Sequence, residues 1–322
     1  MFDFIHAWKS FWHPASEPAA RMPLTENDPG QQIPYPYPVK KVRLSGLELD
    51  IAYIDEGPQG ADVLVLVHGM GGGIPTWRKN IEELKKQFRC LALDLPAHGY
   101  SSKGDYPYTI SFYCDVVLGF INALGVGPVT LVGHSMGGQT AIMAGLRNPS
   151  LIQKLILISP AGIEPYTSVE KQLLINLSAG VVASGNAFTK NRLNFLIGFC
   201  NNAELAGDLA KRLAFFKEDA AVFSRAMQRS IEAMLLESLN HSLTEIRQPC
   251  LLLIGKEDKL SPFQYLRGQE YYQIVERESA KLPHGKLVVV PRCGHFVQYQ
   301  CPEAFNAEVL EFLKEEKPHT VL

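Results

Sequence analysis

Val129-Thr-Leu-Val-Gly-His-Ser-Met-Gly-Gly138 reads as a buried strand that turns sharply into a helix, with a serine at the turn. The first four residues are apolar or β-branched, as a strand covered on both faces requires. Gly133-His134-Ser135-Met136-Gly137 then fits G-x-S-x-G. Alone that pentapeptide arises by chance; between a strand and a helix it specifies a turn that lifts its central hydroxyl clear of the sheet. The helical stretch runs from Met136 to Arg147 and is closed by Asn148-Pro149. Its free N–H groups point back at Ser135, where they favour negative charge.

Outward from this segment, strand and helix alternate. Lys40–Leu44 and Leu47–Ile54 alternate around Ser45-Gly46 as a hairpin, and Val63–Val67 is a short buried strand before a glycine-rich loop. A helix is expected from Trp77 to Gln87, a strand at Cys90–Leu93, and a helix at Ile110–Leu124. Strands follow at Leu155–Ile158, Cys250–Ile254 and Leu287–Val290, with a last helix from Glu303 to Lys314. The alternation implies a parallel sheet covered by helices on both faces. It breaks from about Pro160 to Ile246, where the pieces are helix-prone and carry Phe188, Phe195, Phe199, Phe215, Phe216 and Phe223. The expected organisation is therefore an α/β core over residues 39–159 and 247–322, with a helical cap inserted at 160–246.

A serine hydroxyl attacks only if a base removes its proton, and a neutral histidine suits that task. In the order serine, acid, histidine, the base belongs after the last strand. Pro291-Arg-Cys-Gly-His-Phe296 follows that strand, which nominates His295; His284 precedes it and should lie at the other end of the sheet. The acid belongs after Cys250–Ile254, in Gly255-Lys-Glu-Asp-Lys-Leu-Ser-Pro262, and Asp258 is the choice over Glu257. A placement after the strand ending near Ile158 would nominate Glu164 instead. The oxyanion donors should be the backbone N–H of Met136 and one from His68-Gly-Met-Gly-Gly-Gly73, where Met70 is preferred and Gly71 is its rival. No Lys-Ser/Thr pair follows these glycines, so they do not form a phosphate-binding P-loop.

Taken together, His68-Gly69, Asp94-Leu-Pro-Ala-His-Gly-Tyr-Ser101, the serine turn, Gly255–Pro262 and Gly294-His295 resemble the α/β-hydrolase superfamily. The likeness is to its capped bacterial esterases, lipases and carbon–carbon bond hydrolases, over most of Val39–Lys314. It implies a mostly parallel eight-stranded sheet, a helical lid between the sixth and seventh strands, and Ser135, Asp258 and His295 as catalytic triad. Ala97 stands where a glycine is common and Gln300 where a glutamate is common. Ser135 in place of an aspartate separates the chain from epoxide hydrolases and haloalkane dehalogenases.

The resemblance and the apolar cap imply hydrolysis of carboxylic esters with small to medium apolar acyl or aromatic groups, without a cofactor or metal. The alternatives are carbon–carbon cleavage of a vinylogous diketone, acyl transfer, lipase action at a lipid surface, and a ligand receptor on the same fold. His134 stands where the carbon–carbon hydrolases usually have asparagine.

Bulk properties fit a small-molecule enzyme. The 322 residues are 46% hydrophobic, and 31 Lys and Arg against 33 Asp and Glu leave a formal charge of −2, which offers no basic stripe for nucleic acid. Cys90, Cys114, Cys200, Cys250, Cys293 and Cys301 show no metal-ligand spacing and read as reduced core residues, which favours a cytoplasmic location. The start of the chain lacks the basic and continuously apolar pattern of a secretory signal. Phe4, Ile5, Trp8, Phe11 and Trp12 share one helical face; it would dock on the protein's own surface, on a second copy, or peripherally on a membrane. Residues 14–38, ending in Ile33-Pro-Tyr-Pro-Tyr-Pro38, read as an extended proline-rich arm.

Overall fold

The computed structural model describes residues 35–183, 204–205, 207–208 and 220–315. The apolar N-terminal face, Cys200 and every cap phenylalanine except Phe223 lie outside them.

Eight strands form one sheet: β1 (Lys40–Leu44), β2 (Leu49–Glu56), β3 (Val63–Val67), β4 (Arg89–Leu93), β5 (Val129–His134), β6 (Ile152–Ile158), β7 (Cys250–Gly255) and β8 (Gly285–Val290). Their order is β1-β2-β4-β3-β5-β6-β7-β8. The β1–β2 and β2–β4 pairs are antiparallel and every later pair is parallel. All the parallel strands therefore end on one edge, where the connecting loops gather.

The period of two along each strand divides the core into two layers. Val65, Val67, Leu91, Leu93 and Leu131 face one layer, completed by helices α2 (Ile110–Ala123), α3 (Met136–Arg147) and α7 (Tyr271–Ser279). Leu64, Leu66, Cys90, Ala92, Val132 and Leu251 face the other, closed by the short helix α1 (Ile81–Leu84) and by Phe305, Val309 and Phe312 of helix α9 (Pro302–Lys314). All six residues of β5 are buried, which explains the continuous apolar run that preceded the serine.

Between β6 and β7 the described residues contain no strand. They form helix α4 (Ser168–Ala183), helix α5 (Ala220–Leu236) and a 3-10 turn at Asn240–Glu245; Leu174 and Leu235 bury against one another's neighbourhood. Helix α6 (Pro262–Arg267) follows β7, and the short helix α8 (Val297–Gln300) follows β8. No helix among the described residues is long and apolar enough to cross a membrane.

Three expectations need correction. The helix foreseen at Trp77–Gln87 is a 3-10 turn at Ile74–Trp77 and a single helical turn at α1. Asp94 captures the Ile74 N–H at 2.9 Å, which fixes this stretch as a loop bound to the sheet edge. The end of the proline-rich arm is docked: Tyr35 donates its hydroxyl to Asp94 at 2.6 Å and Tyr37 donates to Glu82. The cysteines are also not uniformly reduced. Cys90, Cys114 and Cys250 are free and buried, but Cys293 and Cys301 form a disulfide with Cα atoms 6.3 Å apart. Helix α8 folds back across the turn after β8, and that approach is not visible in a spacing of eight residues.

Candidate active site

Ser135 has φ 54° and ψ −117°, a conformation that costs energy in any residue but glycine. Its surroundings impose it. The Ser135 N–H donates to the Ile158 carbonyl at 2.8 Å, and its own carbonyl accepts from Gly138, Gln139 and Ala161 at 2.9–3.1 Å. A Cβ at Gly133 would run into the Gly137 carbonyl, and one at Gly137 would run into the carbonyls of Val67 and His68. The turn is thus wedged between β3 and α3 with no room for side chains. Met136 is the first residue of α3, so its N–H has no acceptor within the helix.

The loops after β7 and β8 are stitched together by their backbones. Lys256 donates to Val290 at 2.9 Å and Glu257 to Cys293 at 2.8 Å. This brings Asp258 Oδ2 to 2.8 Å from His295 Nδ1, with Asp258 1% and His295 7% exposed. The other oxygen, Oδ1, accepts from the Leu260 N–H at 2.9 Å. A carboxylate can only accept, so a proton sits on Nδ1, which in the neutral ring leaves the lone pair on Nε2.

His134, next to the serine, joins this pair to the turn. Its Nε2–H donates to the His295 carbonyl at 3.1 Å, and the two rings lie 4.8 Å apart. Burial, and then the neighbouring His295, hold the His134 pKa well below the usual histidine value, so it remains a neutral donor. Among the described residues no hydrogen bond joins Ser135 Oγ to His295 Nε2. Nucleophile–base bonds are commonly longer when no substrate is bound.

The rejected candidates lie elsewhere. Glu257 is exposed, and so is His284, just before β8, whose carbonyl caps the start of β7 by accepting from Cys250 at 2.8 Å. Glu164 is 5% exposed and accepts from Ser261 Oγ at 2.9 Å. Burial pushes its carboxyl above the usual glutamate value. It therefore sits beneath the Asp258 loop, holding Ser261 through a side-chain bond.

In the glycine-rich loop, Gly71 donates its N–H to His98 Nε2 at 3.1 Å and Gly72 donates to the Gly69 carbonyl at 2.9 Å. The Met70 N–H has no acceptor among the described residues, which separates it from its rival Gly71. Asp94 and His98 hold this loop through the Ile74 and Gly71 amides. Ala97 between them has φ 67°, the left-handed region that glycine favours, and this explains why glycine is common there. Gln300 Oε1 accepts from the Phe296 N–H at 3.1 Å, a bond for which a glutamate would serve equally. Phe223 of α5 is buried and meets His98 edge-on at 5.9 Å, bringing the inserted segment to the same loop.

Comparison with known proteins agrees with the fold. A family model described as the alpha/beta hydrolase fold matches residues 62–302. The chain is 28% identical over 267 residues to the dihydrolipoyllysine-residue acetyltransferase component of an acetoin cleaving system from Pseudomonas putida, covering 82% of this chain and spanning 66% of that relative's length. It is 28% identical over 297 residues to a 2-hydroxy-6-oxononadienedioate/2-hydroxy-6-oxononatrienedioate hydrolase from Burkholderia vietnamiensis, covering 84% of this chain and 92% of the relative. Among solved structures, a bacterial membrane phospholipase A superposes with a TM-score of 0.70 at 26% identity, covering 86% of this chain and 85% of its own.

Proposed function

The chain belongs to the α/β-hydrolase fold family, and we propose that within it this protein is a serine hydrolase cleaving carboxylic esters of small to medium apolar acyl or aromatic groups. The observation that carries the reading is the buried 2.8 Å contact between His295 and Asp258, on a loop hydrogen-bonded to the residue beside a strained serine. In this reading Ser135 Oγ attacks the ester carbon while His295 Nε2 takes its proton. The N–H groups of Met136 and Met70 hold the oxygen that becomes negative. Collapse breaks the C–O bond, and the imidazolium returns the proton to the departing alcohol. Water, deprotonated by His295, then attacks the acyl-enzyme; the bond from the acyl carbon to Ser135 Oγ breaks, His295 returns the proton to Oγ, and the acid is released. Asp258 keeps the proton on Nδ1 and stabilises the imidazolium.

The inserted segment between β6 and β7 acts as a cap that bounds the pocket, with Phe223 at its inner face. A bounded pocket favours short to medium acyl chains. Across p-nitrophenyl esters from acetate to palmitate, kcat/KM should peak in the short to medium range in wild type. An optimum at palmitate with activation at an oil surface would replace this reading with that of a lipase. A fluorophosphonate should label wild type rapidly and leave Ser135→Ala unlabelled. Labelling with negligible turnover of every ester would make the protein a receptor on this fold.

The Burkholderia relative's name gives one competing reading, carbon–carbon hydrolysis with the same triad. His134 weighs against it, for the reason given with the resemblance above. Turnover of a vinylogous diketone faster than of any ester would reverse that preference.

A further inference from the structure

His98 is 1% exposed and lies well away in sequence from every residue assigned to the reaction. Its bonds leave no freedom in how the ring is protonated. The Gly71 N–H can only donate, so Nε2, at 3.1 Å, must carry a lone pair. The Pro96 carbonyl can only accept, so Nδ1, at 3.0 Å, must carry the proton. The ring is therefore neutral and acts as a bridge between the two loops that follow β3 and β4. It packs against His68 in a tilted arrangement, with centroids 4.8 Å apart, and against Phe223 edge to face at 5.9 Å. His68 is a second such bridge: its Nε2 accepts from the Leu95 N–H at 2.9 Å and its Nδ1–H donates to the Gly69 carbonyl at 2.7 Å.

Two adjacent amides compete to be the second oxyanion donor, Met70 and Gly71. Consecutive peptide N–H groups in a turn cannot both point at one oxygen unless the backbone is bent to allow it. By taking the Gly71 N–H, His98 fixes the rotation of that peptide and therefore the direction of the one before it. We propose that His98 is a positioning residue for the reaction: it engages Gly71 so that the Met70 N–H is presented to the developing oxyanion. The Phe223 contact makes the inserted helix α5 a wall for that ring, so the cap supports the oxyanion loop as well as the pocket. This inference rests on the proposed serine-hydrolase reading.

The test compares His98→Gln, whose Oε1 can accept near the position of Nε2, with His98→Met, which has similar length and no such acceptor. Wild type is first labelled with a fluorophosphonate; absence of labelling at Ser135 would overturn the serine-hydrolase reading and this inference with it. With labelling established, kcat and KM for p-nitrophenyl butyrate and the affinity for an alkyl boronic acid are measured. His98→Met should lose about tenfold to a hundredfold in kcat, less than outright removal of a donor. Its KM should change by less than about twofold, since the donor acts on the transition state. Boronic acid binding should weaken in parallel with kcat, and His98→Gln should recover most of both. Equal kcat and boronic acid affinity in the two variants would overturn the inference and leave the serine-hydrolase reading standing. If His98→Met does not fold, His98→Asn, whose acceptor is too short to reach Gly71, takes its place against His98→Gln with the same outcomes.

Discussion

The serine turn and the histidine–aspartate pair face the same sheet edge but are made in different ways. The turn is built from consecutive residues: Gly133, Ser135 and Gly137 lie within five positions, and the strain at Ser135 is imposed by close packing between β3 and α3. The pair joins residues 37 positions apart and exists only because β7 and β8 are parallel neighbours whose following loops bond through their backbones. Local steric necessity makes the first, and sheet register makes the second. A change in one should leave the other standing, which substitutions on each side test.

The largest effect is expected from Asp258→Asn. Without the carboxylate the imidazole adopts the wrong tautomer, and kcat should fall by about ten-thousandfold. Thermal stability and the position of Ser135 should change little, which a crystal structure of the variant would check. A kcat within tenfold of wild type would mean that another group, Glu164 foremost, orients the base.

Gly133→Ala attacks the other half. Its Cβ would meet the backbone of Gly137 and Gly138, neither of which can yield cheaply. A loss of about 1–3 kcal/mol in unfolding free energy is expected, with fluorophosphonate labelling slowed. The hydrogen-bonded Nδ1 proton of His295 should persist at low field in proton NMR. If that signal vanished together with the labelling, the two halves would be a single cooperative unit.

Glu164→Gln should have the smallest effect, one read through pH. Burial raises the native carboxyl above its ordinary 4.5, so the folded state binds the proton more tightly than the unfolded chain. The stability this contributes is complete below about pH 4.5 and is lost as pH rises through the native value. Glutamine, which still accepts from Ser261, escapes that loss. The variant's Tm should exceed wild type at pH 8, with the gap closing toward pH 4; a constant gap across that range would refute the titration. Activity should survive, because the acid bonded to His295 is Asp258.

Much of this was legible because it is local. The strand–serine–helix segment appears at the expected place, and α3 runs from Met136 to Arg147 because its apolar period and closing Asn148-Pro149 leave no other solution. His295 was separable from His284 because a strand has two ends, and only one of them faces the serine. The Trp77–Gln87 stretch misled because its helical period is real, but the bond from Ile74 to Asp94 and the 3-10 turn that follows override propensity.

From the residues alone come the alternation that makes a parallel sheet, the crowded turn at Ser135 and the order serine, acid, histidine. These follow from side-chain period and backbone sterics within short windows. The packing of distant loops sets the rest: among the described residues the Met70 amide rather than that of Gly71 is unengaged, Asp258 and not Glu164 meets His295, and Cys293 reaches Cys301. Each of those outcomes depends on where a distant loop places one acceptor or one sulfur, and a hydrogen bond changes partner over a few ångströms that sequence pattern does not encode.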